Sequence, residues 1–227
     1  MSFGQDHLGG WHARSMQLRD RFMRGLARQL GHPDGWRGRL VGRRLNRGNR
    51  DTVTAAVELT GVAAGDRAAD LGFGGGIGLR VLLERVGAVG HVDGVDVSET
   101  MLASARRTFR AEISAGRLAL HPATMVDLPL DTASLDALIT VNTIYFVEDL
   151  DRAFGEIARV LRPGATGVVG LADPEAMAQM PFTAHGFRLR AVSEVSALLE
   201  RSGFSTVRDV RVGEDPRAFH LLVATRS

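Results

Sequence analysis

The sequence predicts an α/β protein: a doubly wound, seven-stranded sheet with its last strand antiparallel, helices on both faces and a helical cap at the N-terminus. Three observations predict it. From residue 67 onward, short apolar runs alternate with amphipathic helical segments, which implies parallel strands joined by helical crossovers and covered on both sides. The last two strand-like runs are separated by only a few residues within RVGEDPRA. That is too short for a parallel crossover, so they form an antiparallel hairpin. Finally, GFGGGIG at 72–78 puts five glycines into seven residues where the first strand meets its helix.

The elements follow in order. MQLRDRFMRGLARQL, residues 16–30, has helical apolar spacing, and Gly31, Pro33, Gly35 and Gly38 break it. Residues 51–60 are again helical and run into Gly61. A strand over 67–71 leads to a helix over 77–86. A strand over 91–97 leads to a helix over 99–111, capped by Ser98. Strands follow at 117–121 and 135–141, then a helix at 150–161 and a strand at 166–171. A helix over 192–201 ends near Gly203, and strands at 207–212 and 219–225 close the chain. The 227 residues suffice for one well-buried domain, residues 49–227, with an Arg-rich helical arm of residues 1–48 left over as the cap.

Composition narrows the function. Apolar residues make up 44% and charged residues 24%, as in ordinary globular proteins. Cysteine is absent, which removes disulfides and thiolate metal sites. No His pair has helical ligand spacing, so no metal is expected. The first residues, MSFGQDHLGGWHARS, lack the apolar core of a signal peptide. The longest apolar run, residues 137–147, is too short for a bilayer and is interrupted by Thr140, Asn142 and Thr143. A cytoplasmic protein without a membrane segment is the expectation. All 28 basic residues are arginine, and residues 1–50 carry eleven of them against three acids. Such an arm suits nucleic acid or the solvated faces of helices packed on an acidic body. The interleaved Leu, Met and Phe favour the second reading.

The glycine run lies where doubly wound sheets bind ligands, beyond the carboxyl end of a strand. Glycine allows positive φ and lets a ligand lie against the main chain. A dinucleotide fingerprint, G-x-G-x-x-G, fails here. Counted from Gly72 its third glycine falls on Ile77, and counted from Gly74 it falls on Leu79. The pattern that fits is D-x-G-x-G-x-G, made by Asp70, Gly72, Gly74 and Gly76. An acid at its head suits an ammonium group better than a pyrophosphate. A second acid, Asp96 in GVDVSETML, ends the next strand, where a carboxylate can hold both hydroxyls of a ribose. Either acid alone reads better as a loop acid capping a helix. Both in register with the glycines favour a ligand.

At this point the sequence resembles the class I S-adenosylmethionine-dependent methyltransferases, Rossmann-like enzymes, of the small-molecule, ubiquinone-biosynthesis-like type. The likeness spans about residues 50–227. It rests on DLGFGGG, GVDVSETML, the LP of VDLPLDTASLDAL, VNTIYFVEDL and RVLRPGATGVVG. The resemblance implies that S-adenosyl-L-methionine is the cofactor and that Gly72, Gly74 and Gly76 form the turn under its methionine part. Asp70 would neighbour the amino group, Asp96 would hold the ribose, and Val97 and Met101 would flank the adenine. Relatives place Asp-Ala four residues before the LP dipeptide; here Thr124 and Met125 stand there, so adenine recognition would lean on the Thr124 hydroxyl and the Met125 main chain. Phe73 departs from a usually smaller residue. Asn142 would contact the cofactor.

Methyl transfer needs nucleophile, carbon and sulfur in line and water excluded; a base is needed only if the acceptor must lose a proton. The acceptor is expected beside Asn142-Thr143-Ile144-Tyr145. Tyr145 either lines that pocket or is a core aromatic. ADPEAMAQMPFTAHGFR, after the fifth strand, falls where the family builds a substrate-covering insert. His185 within it is the expected base, with a loop histidine as the alternative. The predicted function is methyl transfer to a small organic acceptor, of the kind met in bacterial secondary metabolism. The alternatives are an RNA or protein methyltransferase using the basic arm, and a non-methylating cofactor-binding protein such as a cyclase or regulatory subunit. Oligomeric state is not legible.

Overall fold

The computed structural model describes residues 50–214 and 218–227. The expected helix over 16–30 and the cap of residues 1–48 lie outside the described residues. Residues 50–59 are helical and form α1. Then follow β1 (Arg67–Leu71), α2 (Ile77–Val86), β2 (His91–Asp96), α3 (Glu99–Thr108), α4 (Arg110–Ser114), β3 (Leu118–Pro122) and β4 (Leu135–Val141). After these come α5 (Leu150–Val160), β5 (Leu161–Ala172), α6 (Pro174–Ala178), α7 (Val192–Arg201), β6 (Phe204–Val212) and β7 (Phe219–Arg226).

The seven strands form one sheet in the order β3-β2-β1-β4-β5-β7-β6. Pairing is parallel from β3 through β5, and β7 runs antiparallel to both β5 and β6. The order reverses between β1 and β4, so the crevice at that point opens beside the glycine loop.

Both faces are buried. On one, α1, α2 and α3 bring Val57, Leu79, Leu82 and Leu102 against Ala68, Val92, Leu221 and Val223 of the strands. On the other, α5 and α7 bring Phe154, Ile157, Val195 and Leu199 against Leu71, Leu138, Leu222 and Ala224. Strand residues serve the two faces alternately, as the pleat requires. Burying large side chains such as Phe154 or Leu138 contributes about 1.5–3 kcal/mol each.

Three boundaries differ from the sequence expectation by more than one residue. The helix expected over 99–111 breaks at Phe109, whose backbone leaves helical geometry (φ −109°, ψ 31°). Phe109 is 3% exposed, and a Cβ on Gly76 would stand 3.0 Å from its ring. Turning the ring inward beneath the glycine loop costs the helix its continuity. Strand β5 begins at Leu161 rather than 166, because Leu161 pairs with Leu135 before the register shifts to Ala137 opposite Thr166. Residues 162–165 form the irregularity between those rungs. Strand β6 begins at Phe204, whose side chain is buried in the core.

The β3–β4 crossover, residues 123–134, contains no helix. Met125, Leu128 and Leu130 from it cover the sheet instead. Its main chain is held by Arg159 on α5, which donates to the carbonyls of Leu130 (2.8 Å) and Leu128 (3.0 Å) and pairs with Glu156 (2.7 Å). Glu156 in turn accepts the Leu128 N–H at 2.9 Å.

Candidate functional site: a glycine loop between two carboxylates

The loop between β1 and α2 is shaped by three left-handed glycines, Gly72, Gly74 and Gly76, with φ of 72°, 49° and 80°. They are not equivalent. A Cβ on Gly72 would overlap the Thr143 side chain, and one on Gly76 would press on Phe109. A Cβ on Gly74 would meet nothing closer than 3.9 Å. The two outer glycines therefore let the loop pack against the body, and the middle one presents bare main chain to open space.

Asp96 ends β2 and grips this loop. One carboxylate oxygen accepts the Gly74 N–H at 2.9 Å and the other accepts the Ser98 N–H at 2.8 Å. Ser98 caps α3 by accepting from Met101 N–H at 3.3 Å. The carboxylate is thus oriented by the loop on one side and the helix start on the other, and only 7% of the residue is exposed.

Asp70 sits below the loop. A Cβ on Gly78 would overlap its carboxylate, which therefore lies under the first turn of α2 and accepts the Leu79 N–H. Burial, reinforced by the nearby charge of Asp96, pushes its pKa up to about 8 against the helical N–H. Helix starts favour negative charge, yet here desolvation dominates.

Around these acids stand the other residues named from the sequence. Val97, just past β2, is 45% exposed and is one of the few exposed large apolar residues. Met101 is buried behind it. Phe73 is buried toward Leu79 and Gly94, beneath the loop. Thr124 is exposed, and its backbone pairs with Asp127 in a tight turn. Met125 is buried, with its sulfur 3.9 Å from the Thr140 hydroxyl. That hydroxyl donates to the Leu71 carbonyl at 2.9 Å.

The end of β4 forms the third wall. Asn142 is one of two non-glycine residues with positive φ among those described (61°), a conformation asparagine tolerates. It turns the chain into the 3-10 segment Ile144–Phe146. The Tyr145 hydroxyl accepts the Ala172 N–H at 2.6 Å and donates to Asn142 Oδ1 at 3.3 Å. Burial raises the phenol well above its ordinary pKa. Its hydroxyl thereby ties the ends of β4 and β5 together. His185 stands in the insert after β5, half-buried, at the end of the 3-10 turn Pro181–Ala184.

The insert carries fastenings with no local sequence signal. Arg190 donates to the carbonyls of Val147 (2.9 Å) and Ile144 (3.2 Å), and Arg188 N–H donates to the Tyr145 carbonyl (2.9 Å). These lock the insert's far end onto the β4 turn. Between them, Phe187 makes ring contacts with Phe146, Phe182 and Tyr145 at 4.7, 5.6 and 5.7 Å. Thr143, whose side chain fills the space that Gly72 leaves, also supports the loop. Sequence reasoning named it only as part of the β4 segment.

A glycine cradle at the switch point of a doubly wound sheet, with a carboxylate at the end of the neighbouring strand, lies where such sheets bind nucleotides. Comparison with known proteins shows what this domain is similar to. A family model described as "Methyltransferase domain" matches residues 69–169, which include the cradle, both acids and β4. Over those residues the chain is similar to that family. A 2-phytyl-1,4-naphtoquinone methyltransferase of Trichormus variabilis is 34% identical over 115 residues, 50% of this chain and 50% of that protein. The chain spans about half the length of the curated relatives it matches. Among solved structures, a SAM-dependent methyltransferase from Aquifex aeolicus superposes with a TM-score of 0.66 at 21% identity, covering 82% of this chain and 97% of that one. The [4+2]-cyclase SpnF also reaches 0.66 at 21% identity, covering 79% and 82%. No helix among the described residues is long and apolar enough to cross a membrane.

Proposed function

We propose that this chain transfers a methyl group from S-adenosyl-L-methionine to a small organic acceptor. The observation that carries the reading is the Gly74 cradle held by Asp96: bare, left-handed main chain facing open space, gripped at 2.9 Å by the carboxylate that ends the next strand. The donor set fits the cofactor. Gly72–Gly76 offer a surface without Cβ atoms for its methionine part, and Asp96 is placed for the two ribose hydroxyls. Exposed Val97 flanks the adenine, with Met101 behind it. Thr124 and the Met125 main chain border the base, and Asn142 faces the cofactor from β4. Asp70, beneath the helix start, neighbours the ammonium end through water or main chain.

When bound, the cofactor supplies a sulfonium-activated methyl carbon whose leaving group departs neutral. What the protein must add is alignment and exclusion of water. The glycine loop and Asp96 fix one reaction partner. The Asn142–Phe146 turn and the insert after β5 enclose the other, with Phe146, Phe182 and Phe187 giving an apolar, aromatic wall. Tyr145 sets the spacing of this wall, since its hydroxyl joins the ends of β4 and β5. For a hydroxyl acceptor, His185 takes the proton as the methyl group is transferred. The acceptor is thus a compact apolar molecule of the kind found in bacterial secondary metabolism, and the reaction takes place in the cytoplasm.

The test is turnover. Purified protein is incubated with methyl-labelled S-adenosylmethionine and hydroxylated naphthalenes, catechols and simple amines. Labelled product from a ring hydroxyl, abolished by Asp96→Ala and slowed by His185→Ala, is the expected result. Cofactor binding without labelled product from any acceptor would favour a non-methylating role such as cyclisation, as in the fold neighbour SpnF, a [4+2]-cyclase.

A further inference from the structure

The insert's near end is held by a cluster around a buried histidine that the methyl-transfer reading does not use. His220 lies on β7 opposite Leu171 of β5 and is 9% exposed. By strand alternation it shares the sheet face of Leu222 and Ala224, the face under α5, α7 and the insert. Each ring nitrogen meets a carboxylate. Nδ1 is 2.8 Å from Asp209 on β6, and Nε2 is 3.5 Å from Asp173, which follows β5 directly. The remaining charged group beside it in the strand register is Arg211.

Asp173 has a second duty. Its other carboxylate oxygen accepts the Ala176 N–H at 2.8 Å and caps α6, and its own N–H donates to the Ala218 carbonyl at 3.1 Å. From α6 the constraint passes onward. The Thr183 hydroxyl bonds the carbonyls of Met177 (3.1 Å) and Met180 (2.7 Å), so α6 and the next 3-10 turn form one unit that ends at His185. Met177 anchors this unit in the core.

We propose that His220 is a positioning residue: clasped between Asp209 and Asp173, it seats the near end of the insert on the sheet and so sets where Phe182, His185 and Phe187 stand against the β4 turn. The importance of that placement rests on the acceptor-site reading above. An imidazole suits the place because its two ring nitrogens point to opposite sides, so one can face each carboxylate. An apolar residue there would leave the Asp173 and Asp209 carboxylates, both partly exposed, without the ring that joins them.

Hydrogen–deuterium exchange of the full chain, read by segment with saturating S-adenosylhomocysteine, tests the clasp. In His220→Phe the amides of 174–187 are expected to exchange about tenfold faster, the loss of roughly one hydrogen bond's protection. Strands β1, β4 and β7 should keep wild-type protection, and S-adenosylhomocysteine affinity should change less than about twofold. Asp173→Asn keeps the cap on Ala176 but weakens the clasp, so it should loosen the same segment less than Asp173→Ala. His220→Gln retains one donor and should restore part of the protection. The proposal is overturned if 174–187 is unaffected in both His220→Phe and Asp173→Asn, or if β6 and β7 loosen as much as the insert. Should His220→Phe fail to fold, the two Asp173 variants decide the matter alone. If wild-type protein binds no S-adenosylhomocysteine, the acceptor-site reading falls, while exchange in ligand-free protein still decides the clasp.

Discussion

Asp70 and Asp96 flank the same loop in different environments, and the difference is measurable. Asp70 has a folded-state pKa of about 8, above the unfolded value of about 3.9. The folded chain keeps a proton that the unfolded chain has released. That contribution to stability is fully present below pH of about 4 and is lost as pH rises through about 8. Urea unfolding between pH 5 and 8 should therefore show wild-type stability falling relative to Asp70→Asn, by up to about 4 kcal/mol. Parallel curves for the two proteins would contradict the assignment. Asp96 instead orders the Gly74 and Ser98 amides. Asp96→Ala should weaken S-adenosylhomocysteine binding about 100-fold, as expected for losing charge-assisted bonds of about 3 kcal/mol in total, measured by calorimetry. At this scale the sequence was informative because D-x-G-x-G-x-G and the acid of GVDVSETML are local patterns. Their division of labour was not, since the Gly78 contact and the grip on Gly74 exist only after β1 and β2 pair.

At the scale of elements, the two kinds of loop glycine predict opposite phenotypes. Gly76→Ala forces a left-handed Cβ against Phe109 and should lower stability by about 1–3 kcal/mol. Gly74→Ala carries backbone strain of about 1 kcal/mol but no packing conflict, so ligand affinity should fall much further than melting temperature does. Equal losses in both variants, read by thermal melts and calorimetry, would undo the distinction. Arg159→Met should loosen the helix-free β3–β4 crossover through the lost carbonyl contacts of Leu128 and Leu130. Strands, crossover helices and the final hairpin were legible because period and spacing carry them. The break at Phe109, the early start of β5 and the hold of Arg190 on the β4 turn were not. Each depends on a partner far along the chain, as the 46-residue separation of Arg190 from Ile144 illustrates.

For the whole molecule, the doubly wound sheet puts the cradle, the β4 turn and the insert at one end of the parallel strands. The α-helices bury both faces of that sheet in two apolar layers. A ligand that bridges β1, β2 and β4 should stabilise the domain as a unit. Ligand at about 100 times its dissociation constant adds about 2.7 kcal/mol, which for a domain of this size raises the melting temperature by about 5–10 °C. The central claim is narrower: an adenosyl ligand lies on the bare Gly74 main chain with its sugar on Asp96. Its most direct measurement is a calorimetric comparison of S-adenosylhomocysteine with the analogue lacking both ribose hydroxyls, on wild type and Asp96→Ala. Wild type should prefer the intact ribose strongly and the variant should lose that preference. A wild type that takes up neither compound, or a variant that still discriminates between them, would contradict the account.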